Sequence, residues 1–262
     1  MTAEECGIKV VDSDGVRDIT LDRPRQRNAL DLTMLDALRD ALVARPDDVS
    51  AIVLHGGDFF CAGANIKVYS AGSLAASHRL TMAAAATTEA LATVPVPVIA
   101  AVEGMALGGG FEIVLACDLV VMGQTAQLGL PEITLGLVPG WGGTQRLAAQ
   151  IGARRAKRVA MFDERIDAAT ALAWGLVNET VDDGSALSRS HELAGNLTAR
   201  STTALAALKR LCGSVEADLK LAEERSTLRE LLMSTDGQEG IAAFVEKRKP
   251  RFGDSRDLRQ ER

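Results

Sequence analysis

Little in this sequence suits it to nucleic acid. Aromatic residues are only 3% of the chain, so few rings are present on which unpaired bases could stack. Lys and Arg number 29 against 35 Asp and Glu, a net charge of −6, which leaves no basic excess for a phosphate backbone. Cysteine is sparse too. Cys6, Cys61, Cys117 and Cys212 stand far apart with no C-x-x-C pair. Neither a disulfide framework nor a zinc site is expected, and reduced thiols in a cytoplasmic protein are the simpler reading. His55, His78 and His191 show no ligand spacing, so no metal is expected. The opening MTAEECGIKV lacks the apolar core of a secretory signal. The most apolar stretch, Val94 to Met122, is interrupted by Glu103, Glu112 and Asp118, whereas a membrane span needs about 20 residues with few or no charges. No nucleic-acid partner and no membrane are expected.

What is present is core. Of 262 residues, 47% are hydrophobic and 24% charged, enough to bury a large interior and remain soluble. Val16 to Leu21, Ala51 to Leu54, Val96 to Val102 and Leu119 to Met122 read as strands. Leu32 to Val43, Ala75 to Ala92 and Phe111 to Cys117 read as helices, and this alternation predicts an α/β architecture. Beyond Gly142 the pattern changes. Thr144 to Ile151, Ala153 to Phe162 and Ala168 to Trp174 read as helices, Val177 to Val181 holds a short strand, and Ser185 to Glu246 is almost wholly helical. An α/β core over residues 1–190 is therefore expected, then a helical region over 191–262 ending in a frayed, charged tail from Lys247.

Two glycine-rich segments invite comparison with phosphate-binding loops. GMALGGGFE (Gly104 to Glu112) lacks the G-x-G-x-x-G spacing, and GWGGTQR (Gly140 to Arg146) lacks the Lys-Ser/Thr pair, so neither reads as a nucleotide loop. Three glycines at a strand-to-helix junction can instead admit a close backbone neighbour, or present free N–H groups to an oxygen that gains charge. Phe60 to Asn65 forms a second small-residue turn. One donor from each turn would make an oxyanion hole, worth roughly 3–4 kcal/mol per donor in a transition state. Glu112 and Glu132 lie nearby in sequence among apolar neighbours. As a buried pair with one raised pKa they suit proton transfer. Alternatively Glu112 caps a helix and Glu132 pairs with an arginine such as Arg146.

Five segments then combine. ITLDRPRQRNAL (Ile19 to Leu30), FCAGANIK (Phe60 to Lys67), PVIAAVEGMALGGGFEIVLACDLVV (Pro97 to Val121), AQLGLPEITLGLVPGWGGTQRL (Ala126 to Leu147) and EGIAAFVEKRKPRF (Glu239 to Phe252) together resemble the crotonase superfamily, its enoyl-CoA hydratases in particular. The resemblance implies a spiral of ββα units with a helical C-terminal trimerisation region, assembled as a homotrimer or a dimer of trimers. It implies an acyl-CoA thioester as substrate, with no separate cofactor, and a place in fatty acid metabolism such as β-oxidation. Carried over by position, Ala64 and Gly109 supply the oxyanion-hole N–H groups and Glu112 and Glu132 the two catalytic acids. Ala62, Asn65, Ile66 and Lys67 fall beside the substrate, and Gly140 helps hold a water. Arg25 or Arg27, and Lys247 or Lys249, are candidates to reach a CoA phosphate. Asn65 stands where many hydratases have Asp. Ser70 to Ala86 is expected to wall the acyl pocket. The implied reaction is hydration of a trans-2-enoyl-CoA to a 3-hydroxyacyl-CoA. The alternatives are a Δ3,Δ2-enoyl-CoA isomerase and a non-catalytic CoA-binding protein on the same scaffold.

Overall fold

The first element is one the sequence hides. Ile8–Ser13 (β1) buries only Ile8, so it carries no alternation to betray a strand. It is held by a two-residue hairpin, Asp14-Gly15, whose residues both take positive φ (52° and 77°), the geometry that joins twisted antiparallel strands. Val16–Leu21 (β2) is its partner, from Ile8 opposite Leu21 to Ser13 opposite Val16. The computed structural model describes residues 6–70, 73–212 and 217–251. Leu32–Val43 (α1) follows, its start capped by the Asp31 carboxylate, which accepts the Met34 N–H.

Ala51–His55 (β3) is buried throughout. It leads through the Phe60–Asn65 turn into Ile66–Ser70 (α2) and Leu74–Thr93 (α3). Val98–Val102 (β4), equally buried, is followed by Met105–Leu107 (β5) and Gly109–Val114 (α4). The last helix begins inside the glycine triplet, two residues before the expected Phe111, and ends at Val114. Leu119–Gly123 (β6) and Gln127–Gly129 (β7) come next, then a 3₁₀ turn over Pro131–Leu135. Gly143–Ile151 (α5), Ala153–Phe162 (α6), Ile166–Asp167 (β8), Ala168–Trp174 (α7) and Glu179–Val181 (β9) complete the core.

The strands form two layers. One sheet has the order β1-β2-β3-β4-β6-β9 and is parallel except at β1. The second has the order β5-β7-β8, and a single parallel bridge from Cys61 to Ala106 extends it. A repeat results: a long strand in the first sheet, a short one in the second, then a helix or 3₁₀ turn. It occurs as β3–Cys61–α2, as β4–β5–α4 and as β6–β7–3₁₀, which is the ββα spiral.

Both faces of the first sheet are covered, as parallel sheets require. Ile52, Leu54, Val98, Ala100 and Val102 pack with Leu35, Leu38 and Leu80 of α1 and α3. Ala51, Val53, Ile99, Ala101 and Val121 pack with Ala186 and Ala194 of Ala186–Thr198 (α8). The division expected at residue 190 falls inside this helix. Thr202–Cys212 (α9) docks through Lys209, whose ammonium pairs with Asp118 at 2.7 Å and donates to the Leu91 and Val96 carbonyls. Ala217–Leu232 (α10) and Thr235–Val245 (α11) contribute Leu228, Leu232 and Ile241 to the main core. The tail does not fray at once: Arg248 pairs with Glu239 at 2.6 Å, and Glu239 also accepts the Arg251 N–H. The rest of the tail lies outside the described residues. Among those described, no helix is long and apolar enough to cross a membrane.

One buried polar side chain holds the loops together. Asn28, fully enclosed at φ 54°, donates to the Gly56, Phe59 and Phe60 carbonyls at 2.9, 2.7 and 3.1 Å and accepts the Arg23 N–H at 2.8 Å. Asn28→Ala would orphan those carbonyls and put a poorly suited residue at a left-handed position. A loss of about 2–4 kcal/mol is expected, read as a lower urea midpoint with an unchanged slope.

Candidate active site

Each turn of the spiral delivers one part of the site from the same place, just past its second-layer position. After Cys61 comes the turn ending at Asn65. Its backbone is anchored almost continuously: Ala62 N–H donates to Arg27 O at 2.9 Å, Gly63 N–H to Cys61 Sγ at 3.3 Å and Asn65 N–H to Leu30 O at 2.8 Å. The Ala64 N–H between them meets no acceptor among the described residues. After β5 comes the glycine triplet. Gly108 N–H donates to Gly129 O at 2.9 Å, while the next N–H, on Gly109, also meets no acceptor among the described residues. The two turns abut, because a Cβ on Gly63 would sit 3.3 Å from Gly109 N. Two N–H groups on neighbouring turns are thus left without an acceptor among the described residues, which is what donors to a developing oxyanion require.

The triplet is glycine for three separate reasons of space. A Cβ on Gly108 would lie 2.8 Å from Glu132 Oε1, and one on Gly110 would lie 2.6 Å from the Cys61 carbonyl. A Cβ on Gly109 would overlap the indole of Trp141. Close packing, one of the two readings of the sequence, holds at all three glycines.

Glu112, in the first turn of α4, is 2% exposed. It does cap a helix, but not its own. Its Oε1 accepts the N–H groups of Trp141 and Gly143, both at 2.8 Å, at the start of α5. Burial pushes its pKa well above the usual carboxylate range, and the Glu132 and Glu224 charges push the same way, while the two N–H bonds oppose them. Glu132 sits in the 3₁₀ turn. Its carboxyl is enclosed, and Oε2 has no partner among the described residues. Burial raises its pKa to about 7; its own N–H and Arg165 work against this, and the Asp163 and Glu224 charges with it. The alternative pairing of Glu132 with Arg146 does not form among the described residues. Arg146 donates instead to the Trp141 carbonyl at 2.9 Å, and Arg165 is paired with Asp163 at 3.2 Å.

The remaining candidates divide. Asn65 Oδ1 accepts the Lys67 N–H at 3.2 Å and so caps α2, a task the amide oxygen performs as a carboxylate would. Ile66 packs against the core and Lys67 is exposed. Gly140 abuts the Leu228 side chain of α10, so a Cβ there would force that leucine to move. Arg25 lies exposed in a 3₁₀ turn, Pro24–Gln26, two residues before the Arg27 carbonyl that holds Ala62. Lys247 and Lys249 are exposed beyond α11, a helix that packs on α2 and on the 3₁₀ turn of Glu132. Arg25, Lys247 and Lys249 pair with neither carboxylate among the described residues. Of the expected acyl wall, Ser77 and Thr81 of α3 are buried; beyond it, Thr88 donates to the Trp141 carbonyl at 3.1 Å. The side chain of Ser70, and residues 71–72, lie outside the described residues. Sequence reasoning missed Asn28, Trp141 and Glu224; the last sits in a charge-rich helix, where nothing separates a buried acid from solvated ones.

Known proteins match nearly the whole chain. The family model described as Enoyl-CoA hydratase/isomerase matches residues 12–256. The 2,3-dehydroadipyl-CoA hydratase of Escherichia coli K12 is 39% identical over 240 residues, covering 89% of this chain and 93% of its own. A probable mitochondrial enoyl-CoA hydratase 2 of Arabidopsis thaliana is 36% identical over 245 residues, covering 91% of this chain and 81% of its own. Among solved structures, an enoyl-CoA hydratase from Mycobacterium avium subsp. paratuberculosis K-10 superposes with a TM-score of 0.85 at 32% identity, over 95% of this chain and 99% of that one. A carnitinyl-CoA hydratase from Mycobacterium avium superposes with a TM-score of 0.83 at 36% identity, over 94% of this chain and 98% of that one.

Gly109→Ala tests the packing. The new methyl must move Trp141, and overpacking of this kind costs about 1–3 kcal/mol. A changed near-ultraviolet dichroism from Trp141, together with a lower denaturation midpoint, is the expected result.

Proposed function

The chain belongs to the enoyl-CoA hydratase/isomerase family, and from that premise we propose that it adds water across the 2,3 double bond of a trans-2-enoyl-CoA to give a 3-hydroxyacyl-CoA. One observation carries the reading: two enclosed carboxyls of raised pKa, Glu112 and Glu132, stand beside two adjacent N–H groups with no acceptor among the described residues. A thioester oxygen placed between Ala64 N–H and Gly109 N–H gains stabilisation as the enolate develops, and more in a dry site than in water. Glu112 takes a proton from the attacking water as its oxygen bonds C3. Both backbone donors fall on Oε1, which leaves Oε2 for that water, and Gly140 helps to hold it. Glu132 gives its proton to C2. The hydrogen-bond pattern supports this division, since two N–H donors on Glu112 offset part of the burial that raises its pKa, whereas Oε2 of Glu132 has no partner among the described residues. The water proton ends on Glu112 and Glu132 is left ionised, so exchange with solvent restores the starting pair.

Two acids favour hydration over isomerisation, in which a single carboxylate can carry a proton between carbons, and binding alone requires neither. Ala62, Asn65, Ile66 and Lys67 would line the acyl and pantetheine side. Arg25 or Arg27, and Lys247 or Lys249, would meet CoA phosphates. The reaction requires no separate cofactor, and the helical C-terminus suits assembly as a trimer or a dimer of trimers, with fatty acid oxidation as the setting.

Glu112→Gln and Glu132→Gln are each expected to lower kcat by about 10²–10⁴-fold with unchanged circular dichroism. The measurement is loss of the conjugated thioester absorbance of crotonyl-CoA and of a longer 2-enoyl-CoA, and near-normal turnover in either variant removes that residue from the mechanism. The pH profile follows from the same pair. The active form carries one proton on two carboxyls, so kcat/KM falls on the acid side as the second proton binds. It falls again as pH rises past about 7 and Glu132 loses its proton. A profile flat from pH 5 to 9 would contradict the assignment.

A further inference from the structure

Glu224 is a buried acid that the proposed chemistry does not use. It reaches the site from α10, about 80 positions along the chain from the backbone it binds, and is only 5% exposed. Its Oε1 accepts the Gly142 N–H at 2.6 Å; its Oε2 accepts the Thr144 N–H at 3.0 Å and the Thr144 hydroxyl. Set beside the bonds of Glu112, this produces an alternation along four consecutive residues. The N–H groups of Trp141 and Gly143 point to Glu112, and those of Gly142 and Thr144 point to Glu224. The φ of 100° at Gly142 turns its peptide to the opposite side.

We propose that Glu224 is a positioning residue for Glu112: by holding Gly142 and Thr144 from behind, it aims the intervening N–H groups of Trp141 and Gly143 at Oε1 and so sets where Glu112 meets water. The inference rests on the hydratase reading for its activity readout but not for its structural one. A segment held at every second N–H by one carboxylate cannot shift toward the other without breaking bonds in a site closed to water. The charges around Glu112 are Glu132, with Asp163 and Arg165 behind it; Glu224 and Arg225 on α10; and Arg146 on α5. The Cys117 thiol, three residues past α4, lies near Arg146. Arg146, which donates to the Trp141 carbonyl, is the cation common to both carboxylates. The negative charge of Glu224 holds the Glu112 pKa up, and an amide in its place would release it downward.

The test uses the full-length protein with Glu224→Gln, which keeps one acceptor and loses the charge, and Glu224→Ala, which loses both. The chain has two tryptophans, so a Trp174→Phe background leaves Trp141, whose backbone N–H donates to Glu112, as a fluorescent reporter of that carboxyl. In Glu224→Ala, kcat for crotonyl-CoA hydration should fall about 10²-fold, the scale of a small misplacement, with KM within a few-fold of wild type. Glu224→Gln should recover part of that loss and move the Trp141 pH transition to lower pH. A Trp141 transition that stays in place, with kcat unchanged in folded protein, would reduce Glu224 to a distant helix cap and overturn the proposal. Should Glu224→Ala fail to fold, Glu224→Gln decides alone. Should the wild-type protein hydrate no 2-enoyl-CoA, the hydratase reading falls, and the Trp141 transition still judges the hold of Glu224 on Glu112.

Discussion

Four peptide N–H groups, from Trp141 to Thr144, lie between two buried carboxylates that reach them from opposite sides. Carboxylates so enclosed resist ionisation, and each N–H lowers the penalty by favouring the anion. Much of the local sequence follows from this sandwich. Gly142 must take a positive φ, Gly109 must leave room for the Trp141 ring, and Gly140 must admit Leu228 of α10. Arg146 draws its charge toward the same strip of backbone. The C-terminal helices are therefore part of the site's frame. α10 carries Glu224, and Gly240 of α11 packs against the Leu135 carbonyl at the end of the turn that bears Glu132.

The spiral explains how residues 64, 109, 112 and 132 meet at all. Each turn steps from the long-stranded sheet to the short-stranded one before entering its helix. The second-layer positions, Cys61, β5 and β7, are neighbours in space. Whatever follows them in sequence converges on one rim: a donor after Cys61, a donor and an acid after β5, an acid after β7. Because the donors belong to the backbone, they tolerate side-chain change. Asn65 illustrates this, since its amide caps α2 and leaves the Ala64 N–H undisturbed.

The long buried strands and amphipathic helices were legible because burial imposes a period on the sequence. Ala153–Phe162 and Ala168–Trp174 coincide with the sequence expectation at both ends. β1 was invisible for the converse reason, being exposed along five of its six residues. The short second-layer strands were missed as well, since two or three residues cannot display a period. At the site, the glycine triplet and the two glutamates stood out as small or charged groups in apolar surroundings. Asn28 and Glu224 did not, although the structure depends on both. Most of their partners are backbone groups about 28 to 82 residues away, and a backbone partner leaves no mark of its own in the sequence.

The sequence by itself determined the α/β class, the helical C-terminus and the segments that place the chain in its family, because these depend on local period and on motifs in fixed order. Only the tertiary structure decided that Glu112 caps α5 instead of its own helix, that Arg146 serves the Trp141 carbonyl in place of Glu132, and that an acid from α10 closes the site from behind. The reason is physical. Hydrogen-bond partners and pKa values are set by distance and burial, and both come into being only when segments far apart in the chain are packed together.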